Sequence, residues 1–322
     1  MLRILRTYHL EVIVWLFIAM LMTACSTTKF VPEGKYLLNK AHVKCVDDKS
    51  VSTVNMGSYL RQKQNTEIFG FWKLQLQIYS TAPTDTTTKA NKRLAANAHK
   101  MGEAPVIYDD QLTQISMQQL EQQMNNMGYF NAKIDTQKVY KKKKVNLTYL
   151  ITARQPYKVR HYEVDVPIEA ISTIAQNDGC KIKQGENFST STLDQERERI
   201  ATVMRNRGYF YFDKTMLEYT ADSALGSHEV DVKLQLAPYV LQMDSNALKQ
   251  LRRQYTIRKV HYQIDYDPSI LPDSVAVSRE TDKYGNEFSW TGNHFLSQRV
   301  LRRSCRIRPG ERYAEWTVER TY

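Results

Sequence analysis

Cys180-Lys181-Ile182-Lys183-Gln184-Gly185-Glu186-Asn187-Phe188 returns further along the chain as Cys305-Arg306-Ile307-Arg308-Pro309-Gly310-Glu311-Arg312-Tyr313. Both stretches alternate sulfur or apolar residues with basic ones, step through Gly-Glu and close on an aromatic. Self-similarity of this kind marks a repeated structural unit and constrains the fold more than composition does. The glycine, Gly185 in one copy and Gly310 in the other, is expected to supply a turn with positive φ before a helix. A third, weaker copy keeps only Gly102-Glu103, and the same turn is expected at Gly102.

Upstream of these turns, three segments begin alike: His42-Val43-Lys44-Cys45, His161-Tyr162-Glu163-Val164 and His261-Tyr262-Gln263-Ile264. The last two extend to Asp165 and Asp265. Val260, Tyr262, Ile264 and Tyr266 recur at period two, as in a half-buried strand. Downstream, Met117, Leu120, Met124 and Met127 in copy one fall at helical spacing. Leu193, Ile200, Val203 and Met204 do the same in copy two. Each helical stretch ends in a glycine and two aromatics, Gly128-Tyr129-Phe130 and Gly208-Tyr209-Phe210. Glycine is the expected residue just past a helix C-terminus, and the aromatics then open a strand. Val145, Leu147, Tyr149 and Ile151 share one face of the closing strand, as do Val230, Val232, Leu234 and Leu236. The unit reads strand, helix, helix, strand, strand. That is an α+β fold, a small mixed sheet with two helices on one face.

The chain opens differently. Arg3 and Arg6 precede an apolar run over 12–22, and Thr23-Ala24-Cys25 follows it. A basic start, a short apolar core and small residues form a secretory signal. Eleven apolar residues are too few for a spanning helix, which needs about 20. Met22-Thr23-Ala24-Cys25 resembles a bacterial lipobox, with Met22 where leucine is usual and Leu21 one step back. Cys25 is therefore the expected lipidation site; the alternative is an ordinary signal peptide with an incidental cysteine. The expected layout is a signal over 1–24, a first unit over 25–153 with an insertion at about 65–100, and a second unit over 154–238. A linker over 239–254, with a short helix near Asn246, then leads to an incomplete third unit over 255–322. The insertion holds Ile68-Phe69-Gly70-Phe71-Trp72 and a polar stretch over 81–100. The aromatics either cover the edge of the first sheet, contact a partner, or pack locally.

The 42% hydrophobic content supports folded cores, and 12 glycines with 9 prolines argue against low-complexity classes. Loss of the leader removes two basic residues and one acidic one, taking the formal charge from +11 to +10. In an exported protein this charge points to anionic lipid surfaces, or to no partner, rather than to nucleic acid. The run Lys141-Lys142-Lys143-Lys144 sits between two alternating segments and reads as a solvated hairpin tip. Cys45, Cys180 and Cys305 are too widely spaced for a metal motif, and their pairing stays open.

No phosphate-binding glycine loop, zinc-protease helix or nucleophile elbow is present. His42, His161 and His261 share one repeat position and read as strand-surface residues. Asp109-Asp110 and the Glu196/Glu198 pair read as ordinary solvated acids. Neither a cofactor nor a metal is expected.

This order of elements, with its Gly-Tyr-Phe junctions, resembles the POTRA domain, which forms the periplasmic arm of the BamA/TamA superfamily of outer-membrane assembly proteins. The resemblance covers residues 29–322. The lipobox, Lys29-Phe30-Val31-Pro32-Glu33-Gly34, Phe69-Gly70-Phe71-Trp72 and Gly102-Glu103-Ala104-Pro105-Val106 are similar to a lipoprotein variant found in Bacteroidota. The resemblance implies a non-enzymatic arm at the periplasmic face of the outer membrane, tethered through Cys25. It would bind unfolded outer-membrane clients or partner subunits by adding a strand to a sheet edge, near His161 or His261, and guide them to a barrel. After Gly310 the third copy lacks the end of its second helix, a Gly-aromatic junction and both closing strands. The 322 residues are thus expected to be an arm truncated before its barrel, or a short paralogue. The alternatives are an envelope scaffold that recruits folded partners and, with less support, an envelope enzyme.

Overall fold

Three sheets among the described residues share one strand order, and the central strand of the first two is buried on alternate residues. The computed structural model describes residues 26–177, 179–224, 226–264, 277–291 and 296–322. The signal over 1–24, Cys25 and Asp265 lie outside these residues. Contacts divide the chain into two compact units, Met1–Pro156 and Tyr157–Tyr322.

In the first, β1 (Leu37–Cys45), β2 (Lys133–Lys141) and β3 (Lys144–Thr152) lie in the order β1-β3-β2. β1 runs parallel to β3, and β2 antiparallel to it. Val145, Leu147, Tyr149 and Ile151 are fully buried. Each aliphatic side chain withdrawn in this way contributes roughly 1.5–3 kcal/mol. The hairpin turns at Lys142, which has φ +54°, so the four lysines lie at its tip.

A parallel pair cannot be closed by a tight turn, so the chain must cross over. It does so through a 3-10 turn (Met56–Tyr59), α1 (Leu74–Ser80), α2 (Lys89–Met101) and α3 (Asp110–Asn126). The Asp109 carboxylate caps α3, accepting from the amides of Gln111 at 2.7 Å and Leu112 at 3.1 Å. Leu120 and Met124 then pack into one core with Leu38, Leu147 and Tyr149. The polar stretch of the insertion is α2. Leu76 of α1 joins Val31, Leu37 and Ile107 in a second, small cluster.

Gly102 is not the expected positive-φ turn, because its φ is −96° and ψ 170°. A Cβ there would lie 2.4 Å from the backbone nitrogen of Tyr79. Glycine is required because two backbones touch, not because the chain turns left-handed.

The second unit begins by repeating the pattern: β4 (Lys158–Asp165), α4 (Glu169–Ala175), α5 (Thr190–Asn206), β5 (Leu217–Asp222) and β6 (Glu229–Leu236). The strand order is β4-β6-β5, with β4 parallel to β6. Val230, Val232, Leu234 and Leu236 are buried, and Leu234 packs against Ile200 and Met204 of α5 in one cluster. Two short helices follow, α6 (Pro238–Leu241) and α7 (Ser245–Leu251), the latter capped by Asp244.

The third sheet holds a hairpin that the sequence reading did not anticipate. β7 (His261–Ile264) pairs in parallel with β9 (Glu287–Thr291), which pairs antiparallel with β8 (Val277–Thr281). The two partner strands precede the helices α8 (Gln298–Ser304) and α9 (Glu315–Glu319), and no strand follows Gly310 among the described residues. The hairpin closes on a loop at 282–286. The amide of Asp282 donates to the carbonyl of Asn286 at 3.0 Å, and Gly285 takes φ +80°. Phe288 is buried and stacks on Tyr262 at 4.7 Å.

Replacing Leu234 with Ala should cost about 2–5 kcal/mol, because the cavity lies in the middle of a core strand. Thr220→Ala, on the exposed face of β5, should stay within about 0.5 kcal/mol. Urea unfolding of the two variants checks both values.

Candidate functional site

The first strand of each unit lies at a sheet edge, and the units treat that edge differently. In β1 the outer edge is occupied from Tyr36 to Ala41. Leu38 donates its amide to the carbonyl of Val106 at 2.8 Å, and Tyr108 donates to that of Tyr36 at 2.8 Å. The Gln64 side-chain oxygen accepts from the amide of Ala41 at 2.7 Å. The Lys73 ammonium donates to the carbonyl of Asn39. Burial pulls the pKa of Lys73 down, and Glu67 at 3.6 Å opposes that pull. The residues around the insertion thus cover this edge as far as Ala41; beyond it no backbone partner among the described residues joins the outer edge of β1. The aromatic tip takes no part in this cover: Phe69 is 83% and Phe71 76% exposed, on a turn with positive φ at Phe69 and Gly70.

In β4 only the start of the edge is occupied. Val159 donates to the carbonyl of Glu186 at 2.9 Å, and Gly185 donates back to that of Val159 at 2.8 Å. Phe188 donates to the carbonyl of Tyr157 at 2.9 Å. The repeated Gly-Glu turn is therefore a clasp. The positive φ of Gly185, +83°, folds the segment back onto the strand. The copy does the same: Ile257 donates to Glu311 at 2.8 Å, Gly310 (φ +85°) to Ile257 at 2.7 Å, and Tyr313 to Tyr255 at 2.9 Å.

Beyond Val159, no backbone partner among the described residues joins the outer edge of β4. A bulge separates Val159 from His161, after which His161 faces Asp231 and Glu163 faces Lys233. Ladder alternation then aims the amides of Tyr162 and Val164 away from the sheet. The exposed face is polar: Arg160 pairs with Asp231 at 2.5 Å, and Lys233 with Asp165 at 2.7 Å. His42, His161 and His261 are exposed there, and His261 shares a 2.7 Å hydrogen bond with Ser289.

The glycine-aromatic junctions have one geometry. Gly128 takes φ +85°, and Gly208 takes +96°. The amide of Tyr129 bonds the carbonyl of Met124 at 2.9 Å, and that of Gly128 bonds Asn125 at 3.0 Å. Tyr209 bonds Met204 at 3.1 Å, and Gly208 bonds Arg205 at 3.1 Å. This double bond pattern closes a helix when glycine adopts the left-handed conformation, and an apolar contact accompanies it. Tyr129 and Met124 share one core, and Tyr209 packs against the core that holds Met204. Phe130 and Phe210 follow as the second aromatic. Phe210 is half exposed and meets Tyr313 edge-on at 4.9 Å.

At Gly208 the junction also receives the next repeat. The carbonyl of Gly208 accepts from the amide of Tyr255 at 2.8 Å. Arg205 donates to Glu315 at 2.6 Å, and the Asn206 side-chain oxygen accepts from the amide of Trp316 at 3.0 Å.

Glu196 corrects the reading of solvated acids, because its side chain is fully buried. Arg199 donates to its two oxygens at 2.8 and 2.5 Å, and the amide of Lys181 adds a bond of 2.9 Å. Its place in the stripe Leu193, Glu196, Ile200 is the sequence signal for that burial. The hydrogen bond from Glu196 holds Arg199 above the ordinary arginine range. Cys180 is partly buried, and desolvation pushes its thiol up, which disfavours the thiolate nucleophile. Cys45, Cys180 and Cys305 are all free thiols. Among the described residues no three metal-ligating side chains converge, and no helix is long and apolar enough to cross a membrane.

Arg199→Met should cost about 3–5 kcal/mol by leaving a buried carboxylate unpaired, and the added change Glu196→Gln should recover part of the loss. Gly208→Ala should cost about 1–2 kcal/mol from its left-handed backbone. Its Cβ would also lie 2.8 Å from Cγ of Arg312, so the contacts to the following repeat should loosen. Unfolding midpoints check the energies, and amide exchange at Tyr255 checks the loosening.

The comparisons follow the same lines. Residues 86–154 match the family model of POTRA, the surface antigen variable number repeat. The crystal structure of Haemophilus influenzae BamA POTRA3-5 is 14% identical at a TM-score of 0.37, over 91% of this chain and 86% of that one. The N-terminal domain of Omp85 from the cyanobacterium Thermosynechococcus elongatus is 10% identical at 0.28, over 90% and 84%. BamA from Haemophilus ducreyi lacking POTRA domains 1-3 is 19% identical at 0.27, over 47% of this chain and 27% of that one. No curated protein matches the sequence. These superpositions are too loose to carry an argument, and the assignment rests on the family match, the strand order and the shared junction. Residues 86–154 thus match the POTRA family, and the strand order of that unit recurs in the two sheets that follow.

Proposed function

We propose that this chain is the periplasmic POTRA arm of an outer-membrane protein assembly or translocation factor of the BamA and Omp85 kind. It receives unfolded clients or partner subunits by strand addition and passes them toward a membrane barrel. The observation that carries this reading is the edge of β4. It begins in a clasp and then runs on with the amides of Tyr162 and Val164 directed outward and unpaired among the described residues. A strand docking there gains main-chain hydrogen bonds that do not depend on its side chains. That tolerance suits a factor with many clients. The edge of β1 offers less, because Gln64 and Lys73 occupy it as far as Ala41. No covalent chemistry or cofactor enters this mechanism.

The same reading tethers the arm through acyl chains on Cys25, at the periplasmic face of the outer membrane. More than one chain is needed for stable anchoring. A lipoprotein scaffold that recruits folded partners is the second reading. The exposed Phe69 and Phe71 favour it, since an aromatic pair held in water by a turn offers an anchor for a partner surface.

With a photo-crosslinker at exposed Glu163, Val164→Pro should cut capture of an unfolded barrel client about tenfold. Its amide lies outside the sheet ladder, so the unfolding midpoint should move little. Unchanged capture on a folded variant would remove the edge from the mechanism. Radiolabelled palmitate should enter the wild-type protein in a bacterial host and be absent from Cys25→Ser.

A further inference from the structure

A cleft of about 610 Å³ opens in the third sheet's unit, between the hairpin turn 282–286 and the segment running from α8 to Pro309. Arg299, Arg302, Arg303 and Arg306 line it, together with Tyr284 and Asn286. Arg299, Arg303 and Arg306 are exposed, and their guanidinium groups form no ion pair among the described residues. Arg302 stacks on the Tyr284 ring at 4.9 Å and reaches Asp282 at 3.3 Å, while its Nε is buried without a hydrogen-bond partner. Arg308 turns inward onto the carbonyls of Cys305, Ile307 and Arg302.

The carboxylates nearby are already engaged. Asp282 accepts from the amides of Tyr284 and Asn286 and from the Asn286 side chain, and Glu280 accepts from Gln298. Basic residues at a helix C-terminus are favoured by the helix dipole, which accounts for Arg302 and Arg303 at the end of α8. It does not account for Arg299 in the first turn, where the dipole opposes a cation, or for Arg306 beyond the helix. Like charge gathered at one mouth raises the free energy of the empty site and lowers that of an occupied one.

We propose that this cleft binds a phosphate group, as a lipid headgroup or as a soluble organophosphate. Guanidinium forks match the oxygens of phosphate in paired hydrogen bonds, and the half-exposed ring of Tyr284 walls the site. The cleft stands apart from the edge of β4, and its failure would leave that reading untouched.

The test uses the full chain, with inorganic phosphate and with vesicles of phosphatidylglycerol or phosphatidylcholine as probes. Phosphate should shift the side-chain Nε resonances of Arg299, Arg303 and Arg306. Joint substitution of these three by Gln should weaken binding to phosphatidylglycerol vesicles by tenfold or more, on the order of magnitude that three interfacial charges supply. The control Lys141→Gln, Lys142→Gln and Lys143→Gln removes the same charge from the exposed hairpin tip and should cost less than about threefold. Circular dichroism confirms that both variants fold. Phosphate shifts without vesicle binding would support the site and make a soluble organophosphate its ligand. Arginine resonances that phosphate leaves unmoved, or equal losses in the arginine and lysine variants, would overturn the proposal.

Discussion

The parallel pairing of each unit's first strand with its central strand governs the rest. β1 on β3 and β4 on β6 put the opening segment of a unit beside its last. A parallel neighbour forces the intervening chain across one face of the sheet, where helices must cover the alternate apolar residues of the central strand. The opposite face is left polar, as the pairs Arg160–Asp231 and Lys233–Asp165 show. The first strand is left at an edge. An open edge is a hazard in a free protein and an asset in one that must receive strands.

Two glycine devices make that topology repeatable. Gly185 and Gly310 fold their turns back onto the chain entering the first strand, and at β4 the edge is protected there and open beyond it among the described residues. Gly128 and Gly208 close the long helix and turn the chain toward the hairpin. At Gly208 the same carbonyl that ends one repeat receives Tyr255 at the start of the next. Helix termination and repeat docking thus share one backbone group, which ties the local conformation to the serial architecture.

Much of this was legible in the sequence because period and punctuation agree. The face Val145, Leu147, Tyr149 and Ile151 alternates strictly, and the buried set is the one the alternation selects. The helix stripes and the Gly-Tyr-Phe stops are local signals with local causes. What escaped was set by specific partners that spacing does not reveal. Glu196 is charged yet sits on an apolar stripe, and only Arg199 and the amide of Lys181 make its burial tolerable. The cover over the first half of β1 depends on Gln64 and Lys73, far from it along the chain. Gly102 is required by an approach of two backbones that no spacing reveals. The hairpin of β8 and β9 has a readable turn, Tyr284-Gly285-Asn286. Its strands come before the helices, against the order the first two repeats teach.

The central claim is that the edge of β4 is open from Tyr162 onward, whereas β1 is covered at the matching Ala41. Amide hydrogen exchange, read residue by residue while an unfolded barrel-strand peptide is added, tests it most directly. Tyr162 and Val164 should gain protection as the peptide binds, while Leu38 and Ala41, already bonded to Val106 and Gln64, should not change. Protection that appears at neither Tyr162 nor Val164 while the peptide is bound elsewhere would contradict the account.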